Sequence, residues 1–254
     1  MSEIFSLKLF TPPVVIGLVS LAERRWGSMV SGWLIGLPLT SGPVIYFLAR
    51  EQGNTFAAKA SEGIIAGQVS LSLFCLTYAW LSVRYSWMMS VVAGWSAYLI
   101  CVLALNMISI SLAIVFVAVF TFVIIVYSVL PQIGTVGSPV NLPAWEIPLR
   151  MVASTLLVIS LTETAHILGP QLSGLLIPFP VYSSVLAVFT HKFQGSHTTV
   201  HLLRGVVAGS FSFAVFFLVI AGFIESWGIA ASFSLAIIAA MLVHGAAFWI
   251  LKKT

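Results

Sequence analysis

Two proline-centred clusters hold the polar groups with which this chain could handle a ligand. One is Pro38, Thr40, Ser41, Gly42 and Pro43; the other is Pro178, Pro180, Tyr182, Ser183 and Ser184. Proline lacks an amide proton and its ring clashes with the preceding turn, so a helix carrying such a cluster is kinked or interrupted there and frees backbone carbonyls and amides. Hydroxyls beside freed backbone groups suit a neutral polar solute or a small ion. The competing reading is a packing kink whose Ser and Thr hydroxyls rebond to local carbonyls. Gln68 and Ser210 add an amide and a hydroxyl at similar depth. Glu163 and His166, three apart on one helix face, could relay a proton or simply form an interfacial pair near a helix end.

Enzyme chemistry finds no foothold. There is no His-Glu-x-x-His, no phosphate loop, no acidic metal-binding motif and no nucleophile with its base. His191, His197 and His201 crowd one helix end without Cys or Asp partners, and Cys75 and Cys101 sit in apolar segments, so neither a metal, a cofactor nor a disulfide is expected. The chain carries 11 basic and 7 acidic residues, a net charge of +4 and a pI near 9.3. Those charges are scattered over helix ends in no dense patch, which argues against nucleic acid as a partner and reads as membrane topology.

The elements that must position these groups follow from composition. Of 254 residues, 60% are hydrophobic and 7% charged, with a mean hydropathy of +1.10. An ordinary soluble domain is about one quarter charged, so lipid is the expected solvent. A spanning helix needs about 20 apolar residues. Breaks in the apolar runs place about nine spans near 4–22, 29–49, 56–82, 86–105, 108–129, 146–168, 172–190, 198–224 and 227–250. Stretches such as Leu112–Leu130 are apolar all round, which excludes the alternating pattern of a membrane β-barrel. The first span carries Lys8, Pro12 and Pro13, and no small-residue cleavage site precedes the prolines, so it is expected to be retained.

Sliding the sequence by 142 positions puts Pro38 on Pro180 and brings many residues into one ungapped register. Gly27 meets Gly169, Ser31–Gly32 meets Ser173–Gly174, Ser41 meets Ser183, and Gln52–Gly53 meets Gln194–Gly195. Gly63 meets Gly205, Gly67 meets Gly209 and Ser70 meets Ser212. Matches of Gly, Pro, Ser and Gln are the informative ones in an apolar chain, and they imply an internal repeat. The expected organisation is a first four-helix repeat (1–105), a linker helix and polar loop (106–145) and a second four-helix repeat (146–254), a 4+1+4 all-α membrane fold. Equivalent helices are five spans apart, and an odd offset reverses orientation, so the repeats should be inverted. Charge placement agrees. Arg24, Arg25, Arg84, Arg150, Lys192, Arg204, Lys252 and Lys253 fall toward one face, while Lys8, Arg50 and Lys59 lie opposite. The positive-inside rule then puts the N-terminus outside and the C-terminus in the cytoplasm.

The segment Ser173-Gly-Leu-Leu-Ile-Pro-Phe-Pro-Val-Tyr-Ser-Ser, continuing through Ala187 and Gly195 to Leu202-Leu-Arg204-Gly-Val-Val, resembles the GlpM-like family of small bacterial inner-membrane proteins. The likeness covers roughly residues 145–250, and reaches the first repeat only through the internal match, where Gly36–Leu37–Pro38 stands and the arginine is missing. It implies a bacterial inner membrane and supplies no catalytic residues. The overall plan is similar to fused inverted-repeat, dual-topology membrane proteins. The expected function is a transporter of a small solute, with a midplane site between the inverted repeats formed by Pro38, Thr40, Ser41, Gln68, Pro180, Tyr182, Ser183 and Ser210, and with Glu163 and His166 coupling protons. A passive ion channel of the same plan, or a non-catalytic membrane partner in envelope assembly, are the alternatives. Expected partners are the lipid bilayer and a small solute or ion; a homo-oligomer is left open.

Overall fold

The computed structural model describes residues 2–107, 112–132, 134, 142–168 and 179–251, the side chains of 2–9, 106, 113, 162–168 and 250–251 excepted. Among the described residues there are nine helices and no strand: α1 (Ser2–Trp26), α2 (Ser28–Ile35), α3 (Ser41–Gln52), α4 (Asn54–Ser82), α5 (Trp87–Asn106), α6 (Leu112–Val129), α7 (Glu146–Leu168), α8 (Val181–Gln194) and α9 (Ser196–Leu251). Three of them, over Asn54–Ser82, Trp87–Leu105 and Ser196–Trp249, are long and apolar enough to cross a membrane. The last is two helices joined at Gly228, whose φ of 74° only glycine adopts without strain.

Helix ends recur at the 142-residue spacing. α3 and α8 stop at Gln52 and Gln194, and each passes into the next helix through a glycine, Gly53 with φ 91° and ψ 166° and Gly195 with φ 87° and ψ 175°. An L side chain is disfavoured in that conformation, so this abrupt junction depends on glycine. α1 and α7, equivalent by the same shift, pack on one another. Glu23 and Ser20 of α1 reach Arg150, while Gly17 lies against Met151, so the two helices run antiparallel.

The centre of the molecule is α4 packed on α9, with α6 lying against both. Its core includes Ile65, Phe74 and Tyr78 of α4, Leu202, Leu203, Phe217 and Ile220 of α9, and Val123 of α6. α2 crosses the first arm of α9 at backbone contact. A Cβ on Gly205 would overlap the Met29 carbonyl oxygen, and one on Gly209 would overlap that of Trp33. Small residues permit such close crossings, and here they bring α2 and the chain beyond it into the centre. The outside is apolar: Leu18, Val92, Ile100, Val117, Ile124, Ile238 and Leu242 are all exposed.

Candidate functional site

After α2 the chain makes a last tight turn, with Gly36 N donating to Trp33 O (3.0 Å) and Leu37 N to Leu34 O (3.2 Å). Pro38 then ends the helix. Leu39 N donates to Leu37 O across a three-residue turn (2.8 Å), and Gly42 N donates to Pro38 O to begin α3 (2.9 Å). The three-residue turn and the helix start recur 142 residues later. Val181 N donates to Phe179 O (2.8 Å), Ser184 N to Pro180 O (2.8 Å), and Pro180 has φ −76° and ψ 56°. Those angles define an inverse γ-turn, which suits proline because it needs no amide proton from the central residue.

The two turns come together. Thr40 and Tyr182, equivalent by the repeat, interact through their side-chain hydroxyls. Ser41 opens α3 and is partly exposed, whereas Ser183 is buried in the first turn of α8. Ser184, beside it, accepts a hydrogen bond from Trp95 Nε1 (2.9 Å), and Phe179 packs on Trp95 and Tyr98 at ring separations of 5.6 and 5.3 Å. Gln68 is buried in α4, and among the described residues its Nε2 and the hydroxyls of Ser70 and Ser72 on the same helix have no hydrogen-bond partner. Ser210 is buried and donates to Val206 O within its own helix (3.0 Å), the behaviour of a packing hydroxyl. Glu163 and His166 fall in the last turns of α7, where side chains lie outside the described residues, as does Pro178.

Two further constellations were not legible in the sequence. His244 in the second arm of α9 is 2% exposed; its Nδ1 lies 2.9 Å from Ser212 Oγ, and Trp33 stacks on the imidazole with centroids 3.7 Å apart. Ser212 Oγ also approaches Gly209 O (2.7 Å) and Gly36 O (3.4 Å), the latter at the head of the first break. Trp33 Nε1 donates to His244 O (3.2 Å).

The second is ionic. Glu23, which adjoins Arg24 and Arg25 in the sequence, is a buried residue of α1. Its Oε2 pairs with Arg150 Nη1, and its Oε1 accepts from Thr190 Oγ1 (3.0 Å) and Gln194 Nε2 (2.7 Å) of α8. Arg150, fully buried, also pairs through Nη2 with Glu146, without the alignment of a hydrogen bond. Glu146 in turn meets Arg24 Nη2 (3.2 Å), which also donates to Pro143 O (2.9 Å). Two carboxylates and two guanidiniums therefore neutralise one another and tie α1, α7 and α8 together. The group's contacts between segments distant in sequence span 119 to 171 residues, and each member alone looks like an ordinary helix-end charge.

The end histidines are dispersed: His191 approaches the Tyr78 hydroxyl (3.5 Å) and His201 the Gly134 carbonyl (3.4 Å). Burial lowers the pKa of His191 from the ordinary imidazole value. Among the described residues no three His, Cys, Asp or Glu converge as a metal site would require. An open apolar groove of about 470 Å³, lined by Trp26, Val30, Trp33, Leu34 and Phe248, lies apart from the paired turns. Comparison with protein-family models, curated proteins and solved structures finds no match for this chain.

Proposed function

We propose that this protein is an integral membrane transporter of a small, uncharged solute, built from two inverted four-helix units flanking α6, with its site where the two helix breaks meet. The observation that carries the reading is the contact between Thr40 and Tyr182, each two residues beyond the central proline of its γ-turn. Residues related by a two-fold axis touch only close to that axis, and broken helices meeting there are the usual pointer to a transporter site. Antiparallel packing of α1 on α7 is what inversion requires. Gln68, whose Nε2 has no hydrogen-bond partner among the described residues, supplies donor capacity at similar depth in its span, and irregular backbone within a bilayer is tolerated where it lines a cavity or is buried in protein.

Lipid as the surrounding solvent accounts for the exposed apolar side chains on α1, α5, α6 and α9. The cluster of Glu23, Arg24, Glu146 and Arg150 lies where α1 and α8 end and α7 begins, and Lys192 Nζ lies 5.9 Å from the Trp87 ring at the start of α5. Arg24, Arg25, Arg84, Arg150 and Lys192 thus share one end of the bundle, which we assign to the cytoplasm of a bacterial inner membrane.

The test is a thermal-shift screen of solutes on purified protein, followed by uptake of the stabilising solute into liposomes. Saturable uptake stimulated by counter-transport supports the proposal. Fast conductive flux would make the protein a channel, and no flux for any stabilising solute would leave transport without support. Pro38→Ala and Pro180→Ala should impair uptake more than expression.

A further inference from the structure

Ser212 has one hydroxyl proton and three acceptors within reach: Gly209 O, Gly36 O and, when it is unprotonated, His244 Nδ1. The Gly36 carbonyl is the one at stake, because Pro38 ends α2 and the amide four residues on no longer continues the helix ladder. In a neutral imidazole with its proton on Nε2, Nδ1 draws the Ser212 proton away from both carbonyls. Once the ring takes up a second proton, Nδ1–H donates to Ser212 Oγ, and the hydroxyl proton turns to the carbonyls. Among the described residues Nε2 has no hydrogen-bond partner, so the contact at Nδ1 alone ties the ring to the break, and the switch belongs to the tautomer with its proton on Nε2. Among the described residues the groups at the ring are uncharged: Trp33 stacks on it from α2, Ser212 contacts it from the first arm of α9, and Phe248 packs on Trp33 from its own arm. His244 makes no ion pair among the described residues.

We propose that His244 is a proton-binding site that couples protonation to the first helix break through Ser212. The proton comes from solvent hydronium, resides on the imidazole and leaves by the same exchange; no bond other than N–H forms or breaks. The site belongs to one unit alone, since the 142-residue shift puts Ser70 in the place of Ser212 but Val102 in that of His244. Stacking on Trp33 makes the event visible, because an imidazolium held against an indole is a cation–π pair and an efficient quencher of its emission. As a coupling device for solute movement, the site rests on the transporter reading; as a proton site it does not.

The experiment titrates tryptophan emission of the full chain in lipid nanodiscs from about pH 8 to about pH 3, a range carried well to the acid side because burial disfavours the charged imidazolium. Subtraction of a Trp33→Phe variant isolates Trp33. Wild type should lose Trp33 emission in one acid-side transition, and His244→Gln should remove that transition. At matched pH, hydrogen exchange of the Gly36, Leu37, Leu39 and Thr40 amides should be slower in the protonated wild type than in Ser212→Ala. A Trp33 transition that persists in His244→Gln, or exchange at the break that ignores Ser212→Ala, overturns the proposal. Should His244→Gln fail to fold, ring ¹⁵N shifts of His244 in the wild type report ionisation directly, and their invariance would be equally fatal. No step uses a solute, so a clean titration in a protein without flux sinks transport alone, and flux beside a silent His244 sinks this inference alone.

Discussion

The helices that follow the two proline turns, α3 and α8, end at equivalent glutamines and leave through equivalent glycines, yet the protein holds them very differently. In α8, Val181, Ser183, Ser184, Val185, Leu186, Ala187 and Thr190 are buried; in α3 only Gly42, Ile45 and Ala49 are. Thr190 and Gln194 anchor α8 to Glu23, while the corresponding positions in α3 are Leu48 and Gln52, and Arg50 and Glu51 beside them are exposed. Backbone geometry is shared between the units, and the side chains decide which copy is fixed. Low burial and exposed hydrogen bonds place a segment at the labile end of local stability, so α3 is expected to open more readily than α8. Hydrogen exchange should therefore be faster through α3 than through α8.

The largest expected effect comes from removing what fixes α8. Arg150→Ala leaves Glu23 and Glu146 buried beside each other with a single exposed partner in Arg24, and breaking such a group by deleting one member costs about 3–5 kcal/mol. A lowered melting temperature and exchange through α8 as fast as through α3 are the expected readouts. Stability unchanged by the substitution would mean the cluster anchors nothing.

Next in size is the glycine pair at the helix crossings. Gly205→Ala drives a methyl into the Met29 carbonyl and should destabilise by about 1–3 kcal/mol, whereas its equivalent Gly63 has nothing within 4 Å of the added carbon. Gly63→Ala should be neutral, or up to about 1 kcal/mol stabilising from helix propensity. Equal effects at the two positions would erase the packing difference between the units.

Smaller still is the contact across the breaks. Thr40→Val and Tyr182→Phe should each cost about 0.5–1.5 kcal/mol, and the double variant should cost less than their sum, since both delete one interaction. Strict additivity in chemical denaturation would separate the two turns. Least in stability is Gln68→Leu, which removes a buried amide whose Nε2 has no partner and should leave the melting temperature equal or higher while weakening solute uptake.

Much of the backbone was legible in advance. Pro38 announces a helix break, and Pro180 the tight turn that opens α8, because their chemistry is local, and Gly53 and Gly195 mark the junctions for the same reason. Contacts made by folding were not legible. Glu23 sits next to two arginines in sequence but pairs with a third, Arg150, and His244 meets Ser212 only because the chain turns back at Gly228. Ser210 was grouped with the site by depth alone, and its hydroxyl is satisfied by its own helix. The repeat register aligns positions; it does not say which copy of a position is wet, paired or buried.

Inversion of the two units is the claim on which the rest depends, and site-directed labelling reaches it most directly. Gln52→Cys and Gln194→Cys, placed singly in a chain with Cys75→Ser and Cys101→Ser, would be exposed to a membrane-impermeant maleimide from either side of intact cells and inverted vesicles. Gln52 and Gln194 close equivalent helices, so inverted units place them on opposite faces: position 194 should label only from the cytoplasmic side and position 52 only from the outside. Labelling of both from the same side would contradict the account.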